Sequence, residues 1–391
     1  MSHIDDLIEE LAPDGVGYRD LGSVITLNFG ARVTKMADAG TRYPVYGGGG
    51  ESFRTDDFNR EDEYVVSRFA MSAKCVRKVA GKFWMLDSGF TFEPADESVD
   101  KDYVAYVLFN MQPEIYACSS QGAQKNLKTK EFKRFQIPVP PIEVQREIVR
   151  ILDNFTELEA ELEAELEARR VQHAHFRDSM LAANSSEGSM VKLDQVVEIT
   201  IGFPFKSSQF SDDDADVALV RGDNIGQGSM KGREFKRWKR TSHDGLHGYE
   251  LSQGDVVLAM DRPWIPAGLK WATISGDVLP ALLVQRVARL RSALHELDQR
   301  YLATVISSAA FTRHILDVQT GNTVPHISGR QIGSFQFPLP SLSDQRRIVS
   351  ALESLDALVN DLSIGLPAEL AARRKQYEYY RDKLLTFEEL V

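Results

Sequence analysis

The stretch I-P-V-P-P-I-E-V-Q-R-E-I-V-R-I-L-D-N-F, from Ile137 to Phe155, returns 200 residues later as F-P-L-P-S-L-S-D-Q-R-R-I-V-S-A-L-E-S-L, from Phe337 to Leu355. Pro138/Pro338, Pro140/Pro340, Gln145/Gln345, Arg146/Arg346, Ile148/Ile348, Val149/Val349 and Leu152/Leu352 are identical. A second echo, E-L-E-A-R-R-V-Q-H-A-H-F-R-D-S-M-L (Glu165 to Leu181) and E-L-A-A-R-R-K-Q-Y-E-Y-Y-R-D-K-L-L (Glu369 to Leu385), is offset by 204. A period this long excludes a solenoid or propeller, whose units run about 20 to 50 residues. The chain is a tandem duplication, each copy being a globular unit followed by a long helical segment.

In the first helical segment, apolar and aromatic residues fall at Ile148, Leu152, Phe155, Leu158, Leu162, Leu166, His173, Phe176 and Met180, close to the 3 and 4 spacing of a coiled-coil seam. The second segment repeats the pattern from Ile348 to Leu384 with four extra residues, about one helical turn. Gly365 and Pro367 fall in that insertion, so the second helix is expected to bend or break there. Two seams with no other partner are expected to pack on each other as an antiparallel coiled coil, a rod with the globular units at its ends. The run E-L-E-A-E-L-E-A-E-L-E-A reads either as an acidic interaction patch or as a solvated face of strong helix formers, the blander and preferred reading.

Each globular unit opens on a similar strand signal, L-G-S-V-I-T-L at Leu21 and L-D-Q-V-V-E-I-T at Leu193, and continues with short β-rich runs. A helix follows near Asp102 and near Gln299, then a glycine- and amide-rich loop (S-S-Q-G-A-Q-K-N-L; Q-T-G-N-T-V-P-H-I) before the last strand. The expected fold class is α+β: two α/β domains, 1–141 and 188–341, alternating with helical segments 142–187 and 342–391.

Little in the composition suggests catalysis. No apolar run approaches the roughly 18 residues of a membrane span, and the polar N-terminal segment does not read as a signal peptide, so a cytoplasmic protein is expected. Cys75 and Cys118 offer neither a zinc spacing nor a disulfide framework, and His173 and His175 face different sides of a helix. Gly47 to Gly50 lacks the Lys-Ser/Thr of a phosphate loop; a turn, or backbone bared for a large ligand, fits better. No catalytic or metal-binding residue is assigned.

What stands out is basic. The net charge is −11, yet segment 142–187 alone holds 11 acidic against 5 basic residues, more than half of the imbalance. The globular units each carry a basic cluster: K-N-L-K-T-K-E-F-K-R from Lys125, and K-G-R-E-F-K-R-W-K-R from Lys231. Such clusters suit DNA phosphates, and nearby Arg, Asn and Gln suit base edges. A solvated surface strand explains one cluster as readily, but one per copy favours nucleic acid.

At these residues the chain resembles the DNA specificity subunits of type I restriction-modification enzymes. The paired P-x-P-x-x-x-x-Q-R-x-I-V segments at Pro138 and Pro338, the ending from Leu366 to Phe387 and the Y-P-V-Y-G-G-G-G turn at Tyr43 carry the resemblance over essentially the whole chain. It implies two target-recognition domains, each reading half of a split, asymmetric site in double-stranded DNA. It also implies helical spacers that recruit two modification subunits, which bind S-adenosylmethionine and methylate adenine, with restriction subunits joining in some systems. Base-contacting residues do not carry over. On chemistry alone the DNA-binding candidates are Arg32, Lys35, Tyr46, Arg68, Lys125, Asn126 and Lys128 in the first domain. In the second they are Arg221, Asn224, Lys231, Arg233, Lys236, Arg237, Trp238, Lys239, Arg240, Arg262 and Asn322. Gln145, Arg146, Gln345, Arg346, Arg373 and Tyr380 are candidates for the partner-subunit interface. The competing reading is a coiled-coil adaptor that docks proteins and never touches DNA.

Overall fold

The computed structural model describes residues 2–389 except 121, 123, 184–188, 233, 242–243, 322 and 361–364. The chain divides into two compact units, Met1–Glu163 with Glu369–Val391, and Ala164–Ala368. The helix Ile142–Ala183 contributes its first half to one and its second half to the other. No Gly or Pro interrupts those 42 residues, which are rich in Ala, Glu, Leu and Arg. The second helical segment contains the helices Leu342–Asn360 and Gly365–Leu384, the residues between them lying outside the described set, and Gly365, at the expected bend or break, has a φ of +75°.

In the first unit, Tyr18–Asp20 pairs with Gln136–Pro138, and a six-stranded sheet runs in the order Ile25–Phe29, Gly89–Pro94, Arg60–Ser67, Val76–Met85, Tyr43–Gly47, Gly50–Thr55. Only Tyr43–Gly47 against Val76–Met85 is parallel. The strand signal at Leu21 opens instead with a helical turn, Leu21–Val24, because Leu21 and Val24 both reach the core while the Ser23 hydroxyl donates to Asp20 O at 2.7 Å. Helix Lys101–Asn110 starts at Asp100, whose carboxylate accepts from Tyr103 N. Its buried face joins Phe90, Phe92 and Phe132 in a core that also takes Val144, Ile148 and Leu152 from the long helix and Leu384 and Leu385 from the last one. Phe155 stacks on Tyr380 with ring centroids 5.6 Å apart, and Arg374 pairs with Glu159 at 2.6 Å and with Glu163. Partner numbers fall as helix numbers rise, so the helices run antiparallel, and part of the glutamate run is engaged within the chain.

The second unit rebuilds the same frame. Ser189–Lys192 pairs with Gln336–Leu339, and Val197–Ile201 pairs with Val287–Ser292 as Ile25–Phe29 pairs with Gly89–Pro94. Tyr103 Oη donates to Pro138 O at 3.1 Å and Tyr301 Oη to Pro338 O at 3.0 Å. A Cβ on Gly30 would lie 2.1 Å from Leu86 O, and one on Gly202 would lie 2.2 Å from Val284 O, so both positions require glycine. The core gathers Tyr301, Leu302, Phe311 and Phe337 with Leu181, Ile348, Val349 and Leu352 from the helices. The stretch from Gly202 to Val287 spans 85 positions where Gly30 to Gly89 spans 59, and this longer stretch contains the sheet Lys236–Trp238, Val217–Val220, Ala281–Leu283.

Candidate nucleic-acid interface

Three segments meet in the first domain: the turn at Gly47–Gly50, the strand end Arg68–Ala70, and the amide-rich loop before Leu127. Ser67 Oγ and Arg77 Nη2 each donate to Gly48 O at 2.8 Å. Leu127 N donates to Arg68 O at 2.8 Å, Met71 N to Lys125 O at 3.0 Å, and Ala70 N to Asn126 Oδ1 at 3.3 Å. A Cβ on Gly48 would lie 1.6 Å from Phe69 O, so the bare glycine backbone serves a close approach of the chain to itself.

The same three segments meet in the second domain. Leu86 N donates to Tyr46 O and Val284 N to Val220 O, which makes the R-G-D-N-I turn at Arg221 the counterpart of the glycine turn. A Cβ on Gly222 would lie 3.8 Å from that of Ala259. Ile327 N donates to Met260 O at 2.8 Å, matching Leu127 on Arg68, and Arg262 N donates to Pro325 O at 3.0 Å. Ala70 at φ +49° and Arg262 at φ +47° follow these strand ends, in a left-handed conformation that costs a non-glycine residue about 1 kcal/mol or more. The frame is shared and the side chains are not: Arg68, Phe69, Ser88 and Asn126 in one domain stand where Met260, Asp261, Arg286 and His326 stand in the other. Asp261 forms an ion pair with Arg286 at 3.1 Å and meets His326 Nδ1.

Contacts tie Arg68, Lys125 and Asn126 into one site, with Arg32 and Lys35 exposed just beyond Ala31, whose N–H is held by Met85 O at 2.9 Å. Lys128 is exposed and pairs with Glu131. In the second domain, Lys231, Lys236 and Lys239 are exposed with no ion pair among the described residues. Arg221 pairs with Asp223, and Arg262 is exposed. Arg233 and Asn322 lie outside the described residues.

Several candidates need correction. Asn224 is buried, its Oδ1 accepting from Arg221 N and its Nδ2 donating to Glu234 O, so its amide closes the turn and is not offered to a base. Arg240 is gripped by Asp244 at 2.5 Å and Glu250 at 2.8 Å; burial opposes its charge, but those hydrogen bonds outweigh burial and raise its pKa. Arg237 donates to Asp216 O, and Trp238 packs edge-on against Phe205 at 4.8 Å, both side chains being half-buried. Tyr46 likewise packs on Phe83. At the expected partner interface, Gln145 and Gln345 are fully buried with every side-chain hydrogen bond made inside the chain, and Tyr380 lies on Phe155. Arg146 and Arg346 are exposed; Arg346 approaches Asp298 at 3.7 Å, and Arg373 pairs with Glu369 at 3.6 Å. Sequence reasoning missed Phe29, Phe69, Asp261, Arg286 and His326, because the offset between copies drifts from 172 at Gly30 to 198 at Gly89. Among the described residues no group of three or more His, Cys, Asp or Glu side chains could hold a metal, and no helix is long and apolar enough to cross a membrane.

The family model described as type I restriction modification DNA specificity domain matches residues 13–168 and again 186–372, once per copy. The chain belongs to this family. It is 30% identical over 350 residues to the EcoR124I/EcoR124II specificity subunit of Escherichia coli, covering 85% of this chain and 79% of that one. It is 27% identical over 301 residues to the MjaVIII specificity subunit of Methanocaldococcus jannaschii, covering 71% and 69%. Among solved structures, the type I restriction-modification S subunit from M. genitalium superimposes with a TM-score of 0.52 at 16% identity, over 95% of this chain and 96% of that one. A chain from a study of complex assembly and conformational transition in the type I system gives 0.59 at 15% identity, over 95% and 97%. At such identities the likeness is one of fold, and it places the two-domain frame of this specificity-family member among known architectures.

Proposed function

We propose that this chain is the DNA sequence-recognition subunit of a type I restriction-modification complex, with domains 1–141 and 188–341 each reading half of a split, asymmetric site. The observation that carries the reading is the repeated frame: matched backbone hydrogen bonds hold equivalent positions, and the side chains at those positions differ. Two readers built alike but furnished differently suit two unlike half-sites, because base-edge contacts specify while phosphate contacts position.

The chain has no active site of its own in this reading. S-adenosylmethionine and adenine methylation belong to two modification subunits, recruited to the helical segments 142–187 and 342–391 through exposed groups such as Arg146 and Arg346, with restriction subunits joining where present. The complex works in the cytoplasm. Genome-wide methylation mapping of the host, with and without this gene, is expected to show a two-part motif that vanishes on deletion. Methyl transfer by the isolated polypeptide would overturn the division of labour. Duplex binding that ignores salt would favour the adaptor reading, since counterion release makes DNA affinity fall steeply with salt.

A further inference from the structure

We propose that Arg68, lying against the rings of Phe29 and Phe69, reads a guanine in the half-site of the first domain. The inference rests on the DNA-recognition reading above and assigns it a base and a residue.

Arg68 occupies a fixed point in a shared frame. Its N–H donates to Ser88 O at 2.8 Å and its carbonyl accepts from Leu127 N at 2.8 Å. Met260 makes the same two bonds, to Arg286 O and from Ile327 N, each at 2.8 Å. The backbone is therefore specified in both copies and the side chain in neither. In the second domain the residue is a buried Met, and the polar side chains around it are those of Asp261, Arg262, Arg286 and His326.

The guanidinium of Arg68 is oriented without being consumed. Its Cζ lies 5.1 Å from the Phe29 ring centroid and 4.6 Å from that of Phe69, while among the described residues no carboxylate or carbonyl takes its N–H groups. Neighbouring arginines differ. Arg77 donates to Gly48 O and Ser67 Oγ, and Arg60 donates to Asn28 O, Phe29 O, Asn59 O and Thr91 Oγ1. Phe69 is itself held: its N–H donates to Ser88 O at 3.0 Å, and Gly48 closes over its carbonyl where any side chain would collide. Phe29 is 45% exposed, so this cluster stands at the surface.

A planar fork held against aromatic faces retains little freedom to lose on binding, and it matches the O6 and N7 acceptors of guanine. A phosphate contact needs only charge, which a lysine supplies as well. That difference is the test.

The full chain, assembled with its modification subunits, is titrated with duplexes carrying its methylated motif, with 7-deazaguanine placed at each guanine of the first half-site in turn. For the unaltered chain, one such position is expected to weaken binding about tenfold to a hundredfold. Arg68→Lys, which forfeits the stacked fork but still reaches one acceptor, is expected to lose part of that factor on the unmodified duplex, to respond less to 7-deazaguanine there, and to relax the methylated motif at that position only. Arg68→Gln should do the same, and Arg68→Lys, which retains stem and charge, carries the test if Arg68→Gln does not fold. Two results overturn the inference: Arg68→Lys with unaltered motif and affinity, or Arg68→Gln weakening specific and non-specific duplexes alike with a shallower salt dependence, the mark of a phosphate contact. An unaltered complex with no sequence preference at all would instead bring down the wider DNA-recognition reading.

Discussion

Gln145 and Gln345 stand 200 residues apart and make the same three hydrogen bonds. Gln145 accepts from Asp100 N at 2.8 Å and donates to Ser98 O at 2.9 Å and Pro140 O at 2.7 Å. Gln345 accepts from Asp298 N and donates to Glu296 O and Pro340 O, each at 2.8 Å. Each carboxamide ties the proline-rich entry of a long helix to the capping residue of a domain helix, Asp100 or Asp298. Replacement by Ala leaves one N–H and two carbonyls without their partner, at about 1 to 3 kcal/mol per buried group. We expect Gln145→Ala and Gln345→Ala each to lower unfolding free energy by about 3 kcal/mol or more. Gln145→Glu should lose more, since an ionised carboxylate turns only acceptors toward Ser98 O and Pro140 O. Denaturant titrations decide it: losses under about 1 kcal/mol would show that water satisfies these groups.

Why the ends of the repeat were legible in the sequence, and its interior was not, follows from the same bonds. Gln145 and Gln345 work through their side chains, so the residue type had to survive duplication. Tyr46 and Val220, or Arg68 and Met260, hold equivalent places through backbone groups, which tolerate any side chain. The drift in offset then conceals them. Charge was visible without its fate: Arg240 and Lys239 read alike in the sequence, but Asp244 and Glu250 engage only the first. Asn224 has the chemistry to meet a base edge, and the same amide suits a turn.

That distinction sets the salt response. Changing Lys231, Lys236 and Lys239 to Gln should weaken binding to every duplex and lower the slope of log affinity on log salt by about 0.9 for each phosphate that the chain then leaves unneutralised. The methylated motif should stay as it was. Arg240→Ala should leave the slope unchanged and lower stability instead, because it strips Asp244 and Glu250 of their cation. Equal slopes for the triple variant and the unaltered protein would place the phosphate-binding face elsewhere on the second domain.

The two cysteines should report folding. Cys75 is fully buried, and burial pushes its thiol up to about 11, against smaller opposing effects from its own backbone hydrogen bonding and Arg77. The half-buried Cys118 is raised too, by burial first and then by Glu131. Iodoacetamide at pH 8 should therefore label Cys118 slowly and Cys75 only once the domain unfolds. A thiol raised on folding contributes stability that is fully present below the unfolded pKa of about 8.5 and is lost as pH climbs through the folded value near 11. Peptide mass spectrometry after timed alkylation measures this, and native-state labelling of Cys75 at the rate of a free thiol would contradict the burial.

The end of the chain closes on its beginning within the first unit. Val16 N donates to Glu388 O at 3.0 Å, Tyr18 Oη donates to Phe387 O at 3.1 Å, and Val16 bridges Glu389 in parallel. Leu384 and Leu385 thus enter the first core as Leu181 enters the second, although Leu181 reaches its domain through the continuing chain. The order of the segments should then be immaterial to the fold. A flexible Gly/Ser linker of about ten residues reaches roughly 17 Å, comparable with the ~15 Å length of helix Ser2–Leu11, whose Leu7 and Ile8 pack on the first core. A permutant joined by that linker, with new ends between Ala183 and Ser189, should melt within a few degrees of the parent and direct methylation to the same two half-sites. Loss of the first-domain core on permutation, seen as exposure of Cys75 to alkylation, would show that the pairing of Val16 with Glu389 forms only after the domains have folded in their present order.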